Sequence, residues 1–125
     1  MKSSAILVVE DDALIRLSAV DLVTSAGFEA VEAANADEAI RILEARQDIR
    51  LVFTDVEMPG TMDGIKLAHY IKRRWPPVLL IIASGRAIVQ ESDLPEGTRF
   101  FPKPYQDHTI VKEISRMIKA LDARR

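Results

Sequence analysis

Residues 51–60 read LVFTDVEMPG. Leu51, Val52 and Phe53 form a continuous apolar run, which suits a strand buried on both faces of a parallel sheet. The run ends on Asp55, and Pro59-Gly60 marks a turn directly after it. Two more runs share this character, AILVV (5–9) and VLLIIA (78–83). FEAVEAA (28–34) alternates and is more polar, and TRFF (98–101) is short, so both fit the edges of the same sheet.

Between these runs the apolar spacing turns helical. Ile15, Ala19, Leu22, Val23 and Ala26 form one stripe that Gly27 is placed to end. Asn35 is placed to cap a helix carrying Ala39, Ile40 and Leu43. A third helix runs from about Met62 to Arg74, stopping before Trp75, Pro76 and Pro77. The last presents Ile110, Ile114, Met117, Ile118 and Leu121. GRAIVQESDLPEG (85–97) has room only for a short or irregular fourth helix before Pro95 and Gly97. This alternation predicts an α/β domain with a doubly wound, five-stranded parallel sheet, right-handed crossovers and helices on both faces.

A chain of 125 residues, 48% hydrophobic and 29% charged, suffices for one domain with its own core. A net charge of -2 with scattered basic residues argues against nucleic-acid binding. The lack of cysteine removes disulfides and thiolate metal sites. The first apolar run reaches Glu10, Asp11 and Asp12 too soon for a signal peptide, and no run has the length of a membrane span. No membrane association and a cytoplasmic location are therefore expected.

In doubly wound folds, ligands bind beyond the carboxyl ends of the strands. Glu10 and Asp11 end the first strand and Asp55 the third, so the three carboxylates converge if those strands are neighbours. Acids that close repel one another and are tolerated around a cation. Hard oxygen donors suit Mg²⁺, which prefers to share its shell with a phosphate. Ser84 past the fourth strand and Lys103 past the fifth would each meet phosphoryl oxygens, and an Asp carboxylate can attack phosphorus. Taken singly, the acids read as a solvated helix start, Ser84-Gly85 as a turn and Lys103 as a surface charge. Their coincidence at four strand ends favours the site. His69 and His108 stand isolated and read as neither metal ligands nor phosphodonors.

ILVVEDD (6–12), TDVEMPGTMDG (54–64), IIASG (81–85) and FFPKPY (100–105), in this order, resemble the receiver domain of two-component response regulators. The resemblance runs from about Ile6 to the last helix. It implies a flavodoxin-like strand order of 2-1-3-4-5 and a single receiver domain over residues 1–125, with no output domain. Carried over by position, Asp55 is the phosphoacceptor. Glu10 and Asp11 are the acidic pair for Mg²⁺, Asp11 directly and Glu10 through water, with the backbone carbonyl of Glu57 as a further ligand beside Asp55. Ser84 is the switch hydroxyl, Lys103 the phosphate-binding lysine and Phe100 the aromatic that follows the switch. A cis Lys103–Pro104 peptide is implied, while Asp12 falls outside the ligand set.

The function so implied is a phosphorylation-controlled signalling switch. It takes a phosphoryl group on Asp55 from a sensor histidine kinase or a histidine phosphotransfer protein and signals through a downstream protein, as a monomer or weak dimer. It is not an enzyme beyond its own phosphorylation and dephosphorylation. A Mg²⁺-dependent phosphohydrolase with an Asp nucleophile is the alternative, with Glu57 at the spacing of a general acid but no cap in sight; a third possibility is an unphosphorylated scaffold. Three departures from the family pattern stand out: the apparent insertion of Thr61, Gly85 where alanine is commoner, and a shortened segment between Ser84 and Lys103. Glu57 and Arg86, each two residues beyond a site residue, are expected to meet across the pocket mouth and restrict the water that attacks the acyl phosphate.

Overall fold

The structure, a computed structural model, describes residues 4–85 and 89–124. Strands β1 (Ala5–Val9), β2 (Glu29–Ala33), β3 (Ile49–Asp55), β4 (Leu79–Ser84) and β5 (Arg99–Pro102) form one sheet in the order β2-β1-β3-β4-β5. All pairings are parallel. Helices α1 (Ala13–Ser25), α2 (Ala36–Ala45), α3 (Gly64–Arg74) and α4 (Asp107–Ala123) connect or follow the strands. Doubly wound topology and strand order are thus as expected.

Successive strand residues point to opposite faces, so each central strand feeds two cores. Ile6, Val8, Leu51, Phe53 and Ile81 pack with Leu22 and Val23 of α1 and with Ile110 and Ile114 of α4. Leu7, Val9, Val52, Leu80 and Ile82 pack with Leu43 of α2 and with Leu67 and Ile71 of α3. Burying a Leu or Ile side chain contributes roughly 1.5–3 kcal/mol, so a one-residue slip of β1 or β3 would forfeit several such terms. That holds the strand ends, and the polar residues just beyond them, in register.

Side-chain caps set the helix starts. Asp12 Oδ1 accepts from the amides of Leu14 (2.9 Å) and Ile15 (3.1 Å), and Asn35 Oδ1 from Glu38 (2.9 Å). Asp63 Oδ1 accepts from Lys66 N at 2.9 Å, which is why α3 begins at Gly64 rather than near Met62. Gly27 follows α1 with φ +94°, the left-handed conformation that closes a helix.

One expectation changes. The apolar stripe of α1 is narrower than its spacing suggests: Ala19, Leu22 and Val23 are buried, but Ile15 is 43% exposed and Ala26 has become the C-cap. As expected, the fourth helix is short: among the described residues it is one 3-10 turn, Glu91–Asp93, ahead of Pro95 and Gly97. Leu94 and Val89 pack on the α2/α3 core, and His69 Nε2 donates to the carbonyl of Asp93 at 2.8 Å, tying the turn to α3. Arg86 and Ile88 lie outside the described residues.

Candidate functional site

The register carries Asp55 beside Ala83 and Ser84 beside Pro102 at the carboxyl edge of the sheet. Backbone bonds continue past the strands: Glu10 N donates to Ala33 O (3.0 Å), Val56 N to Ala83 O (3.1 Å) and Lys103 N to Ser84 O (2.8 Å). Glu10, Asp55, Ser84 and Lys103 are therefore fixed by the sheet rather than by free loops.

Glu10, Asp11 and Asp55 each bring a carboxylate oxygen to one spot, the three lying within 4.8 Å of one another. Lys103 Nζ stands 3.2 Å from Asp55 Oδ2 and 3.5 Å from Glu10 Oε1. The other Glu10 oxygen accepts the amide of Asp12 at 3.0 Å. Burial pushes Glu10 up to about 7; the Asp12 amide opposes this, the Asp55 charge adds to it and Lys103 opposes it. For Lys103, burial works against the ammonium, yet the charge of Asp55 and the hydrogen bond to it outweigh burial and raise its pKa.

The donor set fits a hard divalent cation. Asp55 Oδ1 is buried and accepts no hydrogen bond from the described residues, a costly state for a carboxylate oxygen unless something else meets it. Among the described residues, one ammonium stands against these three carboxylates, which leaves the cluster short of positive charge. A Mg²⁺-sized ion between Asp55 and Asp11 would answer both, with Asp11 exposed enough to keep water in the shell.

Ser84 is 2% exposed, and its hydroxyl donates to Glu57 Oε2 at 2.7 Å. Phe100 is half-buried against the α2/α3 core and is paired with Ile82. Glu57 lines a shallow depression with Asp11, Met58, Pro59 and Asp63 beside the acids. Asp12 is occupied in capping α1, outside the cluster. The Lys103–Pro104 peptide is cis. Thr61, the apparent insertion, donates its hydroxyl to Asp37 Oδ1 at 3.0 Å and so ties the longer loop to α2. The meeting of Glu57 with Arg86 lies outside the described residues.

Three supporting residues were not anticipated. Gly64 donates its amide to Val56 O at 2.9 Å, and a Cβ there would stand 2.0 Å from the Asp55 carbonyl oxygen. Its signal is a glycine at the first helical position, where a better helix former would otherwise serve. Arg16 donates to the Glu10 carbonyl (2.8 Å) while pairing with Glu32 (3.0 Å), an anchor no local pattern announces. Tyr105 packs on Phe53 and lines the cleft with Ile15 and Lys103.

Residues 6–115 match the response regulator receiver domain. The chain belongs to this family. This receiver is 33% identical over 117 residues to the response regulator protein FleR of Pseudomonas aeruginosa, covering 91% of this chain but only 24% of FleR. It is 33% identical over 119 residues to the chemotaxis protein CheY of Thermotoga maritima, covering 91% of this chain and 97% of CheY. The crystal structure of a response regulator receiver protein from Pseudomonas putida aligns with a TM-score of 0.83 at 27% identity, over 93% of this chain and 98% of that one. The chain thus spans a minor part of FleR and nearly all of CheY. Receiver domains are phosphorylation-controlled signalling switches of two-component systems, and this receiver is such a switch. They bind Mg²⁺ at an acidic pocket, and Glu10, Asp11 and Asp55 form an acidic cluster of that kind. Among the described residues, no helix is long and apolar enough to cross a membrane.

Proposed function

We propose that Asp55 accepts the phosphoryl group, with Lys103, Ser84 and a Mg²⁺ ion as its electrostatic partners. The observation that carries this is the split environment of the Asp55 carboxylate: Oδ2 faces the Lys103 ammonium at 3.2 Å while Oδ1 is buried with no hydrogen bond from the described residues. A carboxylate so held is oriented but still short of positive charge. Asp11, Asp55 and the Glu57 carbonyl would hold the ion, with Glu10 acting through water; the bound ion neutralises charge on the incoming phosphoryl oxygens.

In the transfer, an Asp55 oxygen bonds to phosphorus as the bond to the donor breaks, and the donor keeps the electron pair. Lys103 lies close enough to the carboxylate to meet an oxygen of the transferred group. The acyl phosphate carries roughly two negative charges at pH 7 where the free carboxylate carried one, and its new oxygens draw Lys103 and the Ser84 hydroxyl inward. Phe100, paired on the next strand with Ile82 two residues before Ser84, follows. The result is a population shift between two states, read by a downstream protein on the β4–β5–α4 face.

The donor, a sensor histidine kinase or histidine phosphotransfer protein, docks on the apolar rim beside the acids. Leu14 (77%), Ile15 (43%) and Leu17 (56%) are exposed on α1, and Ile15 lines the cleft with Lys103 and Tyr105. The carboxylate of Glu57 is engaged by Ser84 rather than directed at a leaving group, which favours a receiver over a phosphohydrolase.

Borohydride reduction after acetyl phosphate treatment converts an acyl-phosphorylated aspartate into homoserine. Peptide mapping is expected to find homoserine at position 55 alone. Homoserine elsewhere, or steady hydrolysis of p-nitrophenyl phosphate that Asp55→Asn abolishes, would contradict the reading.

A further inference from the structure

The hydroxyl of Ser84 has one proton to give. In the unphosphorylated chain it points to Glu57 Oε2 at 2.7 Å, a charge-assisted bond from a side chain that is 2% exposed. The Ser84 carbonyl is held by Lys103 N at 2.8 Å, and its residue pairs with Pro102 in the sheet, so the backbone offers little freedom. Redirecting the hydroxyl then falls to rotation about the Cα–Cβ bond.

We propose that Glu57 is a positioning residue that holds the Ser84 hydroxyl in the resting state and so biases the switch toward it. The inference rests on Asp55 being the phosphoacceptor. A phosphoryl group on Asp55 needs the Ser84 proton, and that proton can serve the phosphoryl oxygen only by leaving Glu57. Glu57 is half-buried at the pocket mouth, so once Ser84 turns away its carboxylate need not face the new dianion. The charged hydrogen bond is therefore present in one state and absent in the other, which is the condition for a side chain to shift a two-state equilibrium.

Beryllofluoride, a non-covalent mimic of the phosphoryl group, reads this bias without turnover. Its affinity is measured by NMR titration in saturating Mg²⁺ for wild type, Glu57→Gln, Ser84→Ala and the double variant. Replacing the charge-assisted hydrogen bond of the resting state by the weaker neutral one that a Gln oxygen accepts corresponds to a gain of about 10-fold in affinity for Glu57→Gln. In the Ser84→Ala background the same substitution is expected to change affinity less than about 2-fold, because the hydroxyl whose bond it weakens is already gone. An equal gain in both backgrounds would mean that Glu57 acts only by repelling the anion, and no gain in either would mean that the bond does not oppose the switch; each overturns the proposal. Wild type that binds no beryllofluoride, or binds it as well as Asp55→Asn does, would overturn the phosphoacceptor reading itself, a result distinct from the other two.

Discussion

Gly64, the first residue of α3, lies against the backbone of Asp55 so closely that a Cβ would stand 2.0 Å from the Asp55 carbonyl oxygen. Any side chain there must push α3 away from the strand that carries the candidate nucleophile. Gly64→Ala is expected to destabilise the fold by about 1–3 kcal/mol or more, the range for overpacking against atoms that cannot retreat. Urea unfolding measures this, and an unchanged midpoint would show that α3 shifts freely.

Gly85 makes the opposite case. A Cβ at this position would meet Lys103 Cβ at 3.6 Å and Cδ at 3.8 Å, ordinary packing distances. Gly85→Ala, the commoner family residue, is therefore expected to fall within about 0.5 kcal/mol of wild type in the same assay. A loss as large as that of Gly64→Ala would place a hidden constraint beside Ser84.

Asp12 separates capping from chemistry. Its side chain accepts two amides at the start of α1 and takes no part in the acidic cluster. Asp12→Ala is expected to cost about 1 kcal/mol in unfolding free energy while leaving phosphorylation by acetyl phosphate intact. Loss of phosphorylation in a folded variant would move Asp12 into the site.

Glu10 predicts a pH dependence in metal-free protein. Its folded pKa is about 7, against 4.5 in the open chain, so the native state binds this proton more tightly than the unfolded state. Stability must then fall as pH rises from about 4.5 to about 7 and change little from this group above that. Glu113, held below its ordinary 4.5 by Arg116, has the opposite sign: its contribution is present above that value and lost as pH falls below it. Urea midpoints in chelator at about pH 5 and about pH 8 are expected to show the decline, and Glu10→Gln to flatten it. An unchanged slope in Glu10→Gln would assign the decline to other groups.

The strand ends were legible because β1, β3 and β4 are apolar runs with one boundary each, and the chemistry stands at that boundary. Asn35 and Gly27 were legible as helix ends because capping and left-handed closure need few residue types. Ile15 was misplaced because helical spacing records a face, not how far the opposing sheet reaches along it. Gly64, Arg16 and the bond from Ser84 to Glu57 join residues distant in sequence, and only the fold brings them together.

The most direct measurement is intact mass after incubation with acetyl phosphate, with and without Mg²⁺, on wild type and Asp55→Asn. A single added phosphoryl group that requires both Mg²⁺ and Asp55 is the predicted result. An adduct that persists in Asp55→Asn or forms equally in chelator would contradict the account, as would the absence of any adduct when no inorganic phosphate is released.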